Sequence, residues 1–197
     1  MERDKENLLK IIIQRHGVPD INEWNSISAA EMPKWVKIYN ESGVKINQLP
    51  CSSAIEDAKQ SFVLCSTLER SKHSARLLKV ANIQCHSVFD EAELPVINFP
   101  ILKTTPHRWS IIFRVFWFLG VSKNVESKKA IKNRVTEASQ KLIDLAVKHE
   151  NVLLVGHGIM NGLIARELLR QGWEAEKSPD RKKYRGFKYW ESSVFRK

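Results

Sequence analysis

Two short stretches of the chain carry residue types that could do chemistry together. Arg15-His16-Gly17 ends the run LLKIIIQRHG, and Gly156-His157-Gly158 ends VLLVGHG. A further arginine, Arg70, follows a third apolar stretch, FVLC. Guanidinium groups hold anions, imidazoles offer a lone pair and exchange protons, and glycine lets backbone approach a ligand closely. Singly, each is an ordinary surface or loop residue. Their weight comes from a shared setting at the carboxyl ends of apolar strands, where α/β sheets collect ligand sites. Gly17 is read as the residue that turns the chain and brings backbone toward a bound anion.

The elements that must position these residues follow from the apolar pattern. Leu8 to Ile13 does not alternate with polar residues and reads as a strand buried on both faces, as do Phe62–Cys65 and Val152–Val155. Ser28 and Glu31 have capping-box spacing before a helix over Ala29–Glu41, with Pro33 in its first turn and Gly43 as its stop. A short helix is expected over Ser53–Gln60. Ser66 and Glu69 repeat the capping-box spacing before a helix over Thr67–Val80, which places Arg70 in its first turn. A short strand is expected around Gln84–Val88. A helix follows over Glu126–Glu150, where Ile131, Val135, Ala138, Leu142, Leu145 and Ala146 recur at steps of three and four. Another runs to Arg170, and Gly172 ends it. Tyr189–Phe195 reads as a last edge strand. Strand and helix alternation predicts an α/β fold with a mostly parallel central sheet flanked by helices on both faces.

The aromatic segment 99–121 contains Trp109, Phe113, Phe116 and Trp117 at helical spacing. It is expected to pack on the core or to form a helical lid, in preference to a membrane-surface patch. At 197 residues without repeats or Gly/Ser linkers, one domain over 1–197 is expected. The 32 Lys and Arg outnumber the 22 Asp and Glu, for a formal charge of +10. That balance attracts anions, be they phosphorylated metabolites, nucleic acid or lipid. From Arg181 to Lys197 there are seven Lys and Arg against one Glu. Cys51, Cys65 and Cys85 are odd in number and lack C-x-x-C spacing, which argues against a disulfide framework or zinc site and for the reducing cytoplasm. Cys65 reads as a buried hydrophobe. MERDKEN is no secretory signal, and Trp109–Val121 is too short to span a bilayer and is broken by Arg114. His73, His86, His107 and His149 read as surface or packing residues.

Over nearly its whole length the chain resembles the histidine phosphatase superfamily, the phosphoglycerate mutase-like proteins. RHGVPDIN matches the family's RHG with Asn22 five residues on. CSTLERSKHSA matches Ser-x-Leu-x-Arg with Ser66, Leu68 and Arg70. FDEAELP supplies the acidic residue as Glu91, with Glu93 as rival. ESKKAIKNRV matches a Glu-Ser helix start with a later Arg, and VLLVGHG supplies His157. Val18, Pro19 and Asp90 depart from the common pattern, where Glu, Ser or Gln, and a basic residue are frequent. Those departures bear on the substrate and leave the catalytic set intact.

The resemblance implies a phosphoglycerate mutase-like three-layer sandwich and a phosphatase that needs no cofactor or metal. His16 would attack phosphorus and become a phosphohistidine. Arg15, Arg70, Asn22 and His157 would hold the phosphate oxygens. Glu91, or alternatively Glu93, would protonate the leaving oxygen and then activate water. The partner implied is a small phosphorylated substrate, with no obligatory nucleic acid and no transmembrane segment. A homodimer is compatible with it. Three other functions compete: a mutase, for which no closing insertion is seen; a phosphohistidine protein phosphatase, against which the aromatic segment argues; and a non-catalytic module binding anions or nucleic acid, which lacks the recognition motifs of RNA-binding folds.

Overall fold

Ile11, Ile12 and Ile13 are all buried, as an apolar run without alternation requires, because strand β1 (Lys10–Arg15) lies inside a six-stranded sheet covered on both faces. The computed structural model describes residues 8–97, 99, 102–177 and 187–197. After β1 come β2 (Ile27–Ser28), α1 (Met32–Glu41), α2 (Ser52–Lys59), β3 (Phe62–Cys65), α3 (Glu69–Leu77) and β4 (Ile83–Cys85). Then follow β5 (Lys103–Thr104), α4 (Pro106–Phe118), α5 (Lys128–His149), β6 (Asn151–Gly156), α6 (Gly158–Arg170), β7 (Glu174–Lys177) and β8 (Ser192–Arg196).

The sheet runs β4-β3-β6-β1-β8-β7. The pairs β3–β4, β3–β6 and β1–β6 are parallel, and β8 is antiparallel to both of its neighbours. Alternate residues of the strands feed two cores. Ile11, Ile13, Leu64, Val152 and Leu154 pack with α5 and α6 through Leu142, Ala146, Ile164 and Leu168. Ile12, Val63, Leu153 and Val155 pack with α2 and α3 through Ala54, Ala58, Ala75 and Leu78. The fold is therefore the mostly parallel α/β sheet with helices on both faces that the pattern predicts.

Three local expectations are corrected. The strand expected at an edge, Tyr189–Phe195, is β8, and it lies between β1 and β7; the edge belongs to β7. Ser193 is accordingly buried between the two ladders. Ser66 does not cap α3. It extends β3, its N–H donating to Val155 O at 3.4 Å, and Leu68 is the N-cap. Gly17 N–H donates to Ser74 Oγ at 2.9 Å and is not free for an anion. What the missing side chain does supply is room, since a Cβ there would stand 2.6 Å from the Trp190 ring.

The capping box at Ser28 and Glu31 forms, with Ser28 N–H donating to Glu31 Oε2 at 2.8 Å, and it opens a 3-10 turn over Ala29–Glu31 that leads into α1. Pro33 sits in the first turn of α1, where its absent N–H has no helical partner to lose. Of the aromatic segment 99–121, Pro100 and Ile101 lie outside the described residues, and α4 supplies most of the rest. Trp109, Phe113 and Trp117 are buried on one face of α4, and Trp109 Nε1–H donates to Ile27 O at 2.8 Å. Cys65 is buried, Cys85 is its register partner on β4, and all three cysteines are free. Burial and the neighbouring Cys85 push the Cys65 thiol up, which suits a packing role. Residues 1–7, and 181–186 of the basic C-terminal stretch, lie outside the described residues. No helix among the described residues is long and apolar enough to cross a membrane.

Candidate active site

Strand register brings the two His-Gly motifs together. β1 and β6 run parallel with Arg15 opposite Gly156, and His16 N–H donates to Gly156 O at 3.0 Å. The next residues, His16 and His157, therefore leave the sheet side by side, with ring centroids 5.1 Å apart. β3 flanks β6 on its other side with Cys65 opposite Val155, which brings Ser66 Oγ within 2.5 Å of His157 Nε2. In the first turn of α3, Arg70 returns over the same strand ends.

The protonation of His16 follows from its partners. Its Nδ1 lies 2.7 Å from Gly17 O, an acceptor, and its Nε2 faces Arg70 Nε–H at 3.3 Å, a donor. Both contacts require the same neutral tautomer, with the proton on Nδ1 and the lone pair on Nε2. The electrostatics agree. Burial, then the Arg70 and Arg15 charges, holds His16 well below the usual imidazole range, against a smaller opposing effect of the Gly17 carbonyl. Burial, then Arg70, His16 and Arg15, does the same to His157.

These shifts have a measurable consequence for folding. Each histidine is depressed below its unfolded value of 6.5, so the unfolded chain binds more protons at mildly acid pH. The stabilisation they give is fully present above pH 6.5 and is lost as pH falls below it toward the folded values. Urea unfolding should show stability falling by up to about 1.4 kcal/mol per pH unit for each histidine below about pH 6.5. A flat midpoint between about pH 7.5 and 5.5 would contradict two buried neutral imidazoles.

Each arginine lies under an aromatic face. Arg70 is 2% exposed, bonds Tyr39 O and Asn40 Oδ1 through Nη1 at 3.3 and 2.9 Å, and has its guanidinium carbon 4.5 Å from the centre of the Tyr39 ring. Arg15 bonds Phe187 O and lies 4.1 Å from the centre of the Tyr189 ring, while its buried Nε has no hydrogen-bond partner among the described residues. Burial pushes the Tyr39 phenol up to about 12, against the Arg70 charge, so it stays a neutral donor. Two guanidinium groups beside two neutral imidazoles make a cationic pocket suited to a compact anion.

The acidic candidates part company. Glu91 accepts from Ile159 N–H at 3.1 Å and Met160 N–H at 2.9 Å, which anchors its carboxylate on the first turn of α6, and it lines the same cavity as His16 and Arg70. Glu93 lines that cavity too, but it is exposed and turns its Oε2 toward Glu126 N–H at 3.3 Å. Asp90 bonds Thr67 N–H and Oγ1–H, both at 2.7 Å, fixing the loop before Glu91. The Arg of the Glu-Ser motif, Arg134, serves the same loop: it bonds Val88 O and Asp90 O and clasps Glu126 with Nε and Nη2. Asn22 is exposed and does not line the cavity. The asparagine found beside Arg70 is Asn40.

Several positioning residues were not foreseen. Asn161 accepts from His157 N–H at 3.1 Å and donates to Gln14 O at 3.0 Å, tying both strand ends together. Gly156 is glycine for its sake, because a Cβ there would stand 2.1 Å from Asn161 Oδ1. Asn161 lies inside α6, and no local sequence feature announces its contacts with His157 N–H and Gln14 O. Tyr39 and Tyr189 have no motif, and meet the arginines only through the fold.

Solved structures share the fold over most of this chain. A proposed alpha-ribazole-5'-P phosphatase of Escherichia coli is similar at 19% identity and a TM-score of 0.57, over 94% of this chain and 89% of that one. A mycobacterial glucosyl-3-phosphoglycerate phosphatase is similar at 14% identity and a TM-score of 0.55, over 94% and 89%. Mycobacterial hydrolase 2 is similar at 14% identity and a TM-score of 0.61, over 96% and 82%. No curated protein sequence matches the chain. In sequence, residues 40–182 match the family described as histidine phosphatase superfamily (branch 1). That match spans Arg70, Glu91 and His157 and leaves Arg15 and His16 outside; the pairing of β1 with β6 brings them to the same pocket. By the extent of the match and by its topology, the chain belongs to the histidine phosphatase superfamily, branch 1.

Proposed function

We propose that this chain, a phosphoric monoester hydrolase by family, cleaves the phosphate ester of a small molecule through a phosphohistidine at His16, without a metal ion. The observation that carries the reading is the neutral His16 tautomer, its Nε2 lone pair directed at the Arg70 guanidinium that would hold the phosphate.

In the first step the Nε2 lone pair forms a bond to phosphorus, and the bond from phosphorus to the ester oxygen breaks. Arg15 and Arg70 offset the charge on the phosphoryl oxygens. A hydrogen bond from His157 would join them once Ser66 Oγ releases its Nε2. The leaving oxygen takes the proton of the Glu91 carboxylic acid. In the second step water attacks phosphorus, Glu91 as carboxylate takes the water's proton, and the bond to nitrogen breaks. Phosphate leaves and His16 regains its lone pair. The carboxylate held on the α6 backbone is the form this second step uses. This reading needs no nucleic acid, and it keeps the reducing cytoplasm as the compartment.

Phosphate release from p-nitrophenyl phosphate should persist in EDTA. Glu91→Gln should slow an alkyl phosphate by about 10²-fold or more and p-nitrophenyl phosphate, whose leaving group needs little protonation, by less than about tenfold. If Glu93→Gln shows that pattern and Glu91→Gln does not, the acid is Glu93. Loss of activity in EDTA, restored by a divalent ion, would remove the metal-free reading.

A further inference from the structure

Helix α4 is apolar on two faces. Trp109, Phe113 and Trp117 pack inward, whereas Ile111, Val115 and Phe118 are each about half exposed, at 53%, 52% and 46%. Their spacing of four and three residues makes one stripe along the helix. A helix apolar on both sides is ordinarily buried on both. Here the second stripe lines a cavity of about 1510 Å³ that is also lined by His16, Arg15, Arg70 and Glu91. Opposite elements add Trp35 and Val36 from α1 and Leu163 from α6. The volume exceeds the roughly 300–1,000 Å³ of ordinary small-ligand sites, and a phosphate fills little of it.

The polar groups of this cavity also limit the ligand. The fixed cation nearest the α4 stripe, Arg114, is already committed. It bonds Ala92 O and Glu93 O at 2.9 and 3.2 Å and lies over the Trp117 ring, so it braces the Glu91 loop. Lys37 is an exposed residue of α1 and Lys45 follows that helix; they suit steering more than a fixed second anion site. Arg166 of α6 also lines the cavity and is itself engaged within the protein. The anion pocket at Arg15 and Arg70 is thus continuous with an extended hydrocarbon-like wall.

We propose that the alcohol esterified to the phosphate is a large, hydrocarbon-rich group of on the order of ten carbons, lying along Ile111, Val115 and Phe118. This rests on the phosphatase reading above and names its substrate class. A compact polar phosphate, such as a glycerate, would leave the stripe in water. A long alkyl, prenyl or fused-ring alcohol covers it while its phosphate reaches Arg15 and Arg70.

The test is the dependence of kcat/KM on chain length for n-butyl, n-hexyl and n-decyl phosphate below their micellar concentrations, using the whole chain. Transfer of each methylene from water should raise kcat/KM about twofold or more, on the order of 50-fold from butyl to decyl. In Val115→Asp and Ile111→Asp the decyl-to-butyl ratio should collapse to within about fivefold. A flat series, with p-nitrophenyl phosphate still hydrolysed, overturns the inference and leaves the phosphatase reading standing. If wild type hydrolyses no ester, the phosphatase reading fails. The inference is then decided by affinity: decylphosphonate binding tighter than butylphosphonate, and losing that advantage in Val115→Asp, upholds it, and equal affinities overturn it. A flat series together with Val115-dependent sedimentation on phosphatidylcholine–phosphatidylserine vesicles would assign the stripe to a membrane surface and also overturn it.

Discussion

His16→Ala is expected to lower turnover of p-nitrophenyl phosphate by at least about 10⁴-fold, with the fold intact by circular dichroism. The reason lies in what its neighbours cannot do. His157 is the other imidazole of the cluster, but its Nε2 is engaged by Ser66 Oγ at 2.5 Å and, unlike His16, it does not line the cavity. Among the described residues, His16 is the side chain that accepts from Arg70 Nε–H. The wild type should also form an acid-labile phosphoryl adduct on rapid quenching, and His16→Ala should not. Activity within about tenfold of wild type, or an undiminished adduct, would take His16 out of the role.

Arg70→Ala is expected to reduce kcat/KM by roughly 10³-fold, and Arg70→Lys should recover little of it. A lysine ammonium cannot keep the fork that reaches His16 Nε2, Tyr39 O and Asn40 Oδ1 while facing a phosphate. A second readout separates this from simple loss of packing. Arg70 is the largest charge effect lowering His16, so its removal should move the acid limb of the kcat/KM profile to higher pH. A loss of less than about tenfold with an unmoved limb would mean that Arg70 neither binds the phosphate nor tunes the nucleophile.

Much of this was legible in the chain itself, and the reasons are local. Ile11–Ile13 and Val152–Val155 read as doubly buried strands, and strands that end in the same His-Gly step place those histidines together once paired in parallel. Arg70 was legible because it opens the helix after a third such strand. What was hidden depends on contacts remote in sequence. Nothing near Ser192–Arg196 tells that it wedges beside β1, and nothing near Tyr39 or Tyr189 tells that each covers an arginine from another part of the chain. Glu91 and Glu93, two residues apart, could be told apart only by the first turn of α6, which receives one and not the other. Ser66 misled because its hydroxyl had a cap's spacing and was spent on His157 instead.

The position of β1 between β6 and β8 has a consequence for how the protein comes into being. Lys10 pairs with Asn151 on one side and Arg196 on the other, so during synthesis β1 waits for partners that come much later in the chain. Such long-range pairing slows folding, and meanwhile Ile11–Ile13 form an apolar strand with both edges open, a risk that chaperones exist to cover. Phe187 and Tyr189, which bond and cover Arg15, arrive in the same late segment. The nascent chain therefore carries His16 and Arg15 well before the segment 187–196 that completes their surroundings.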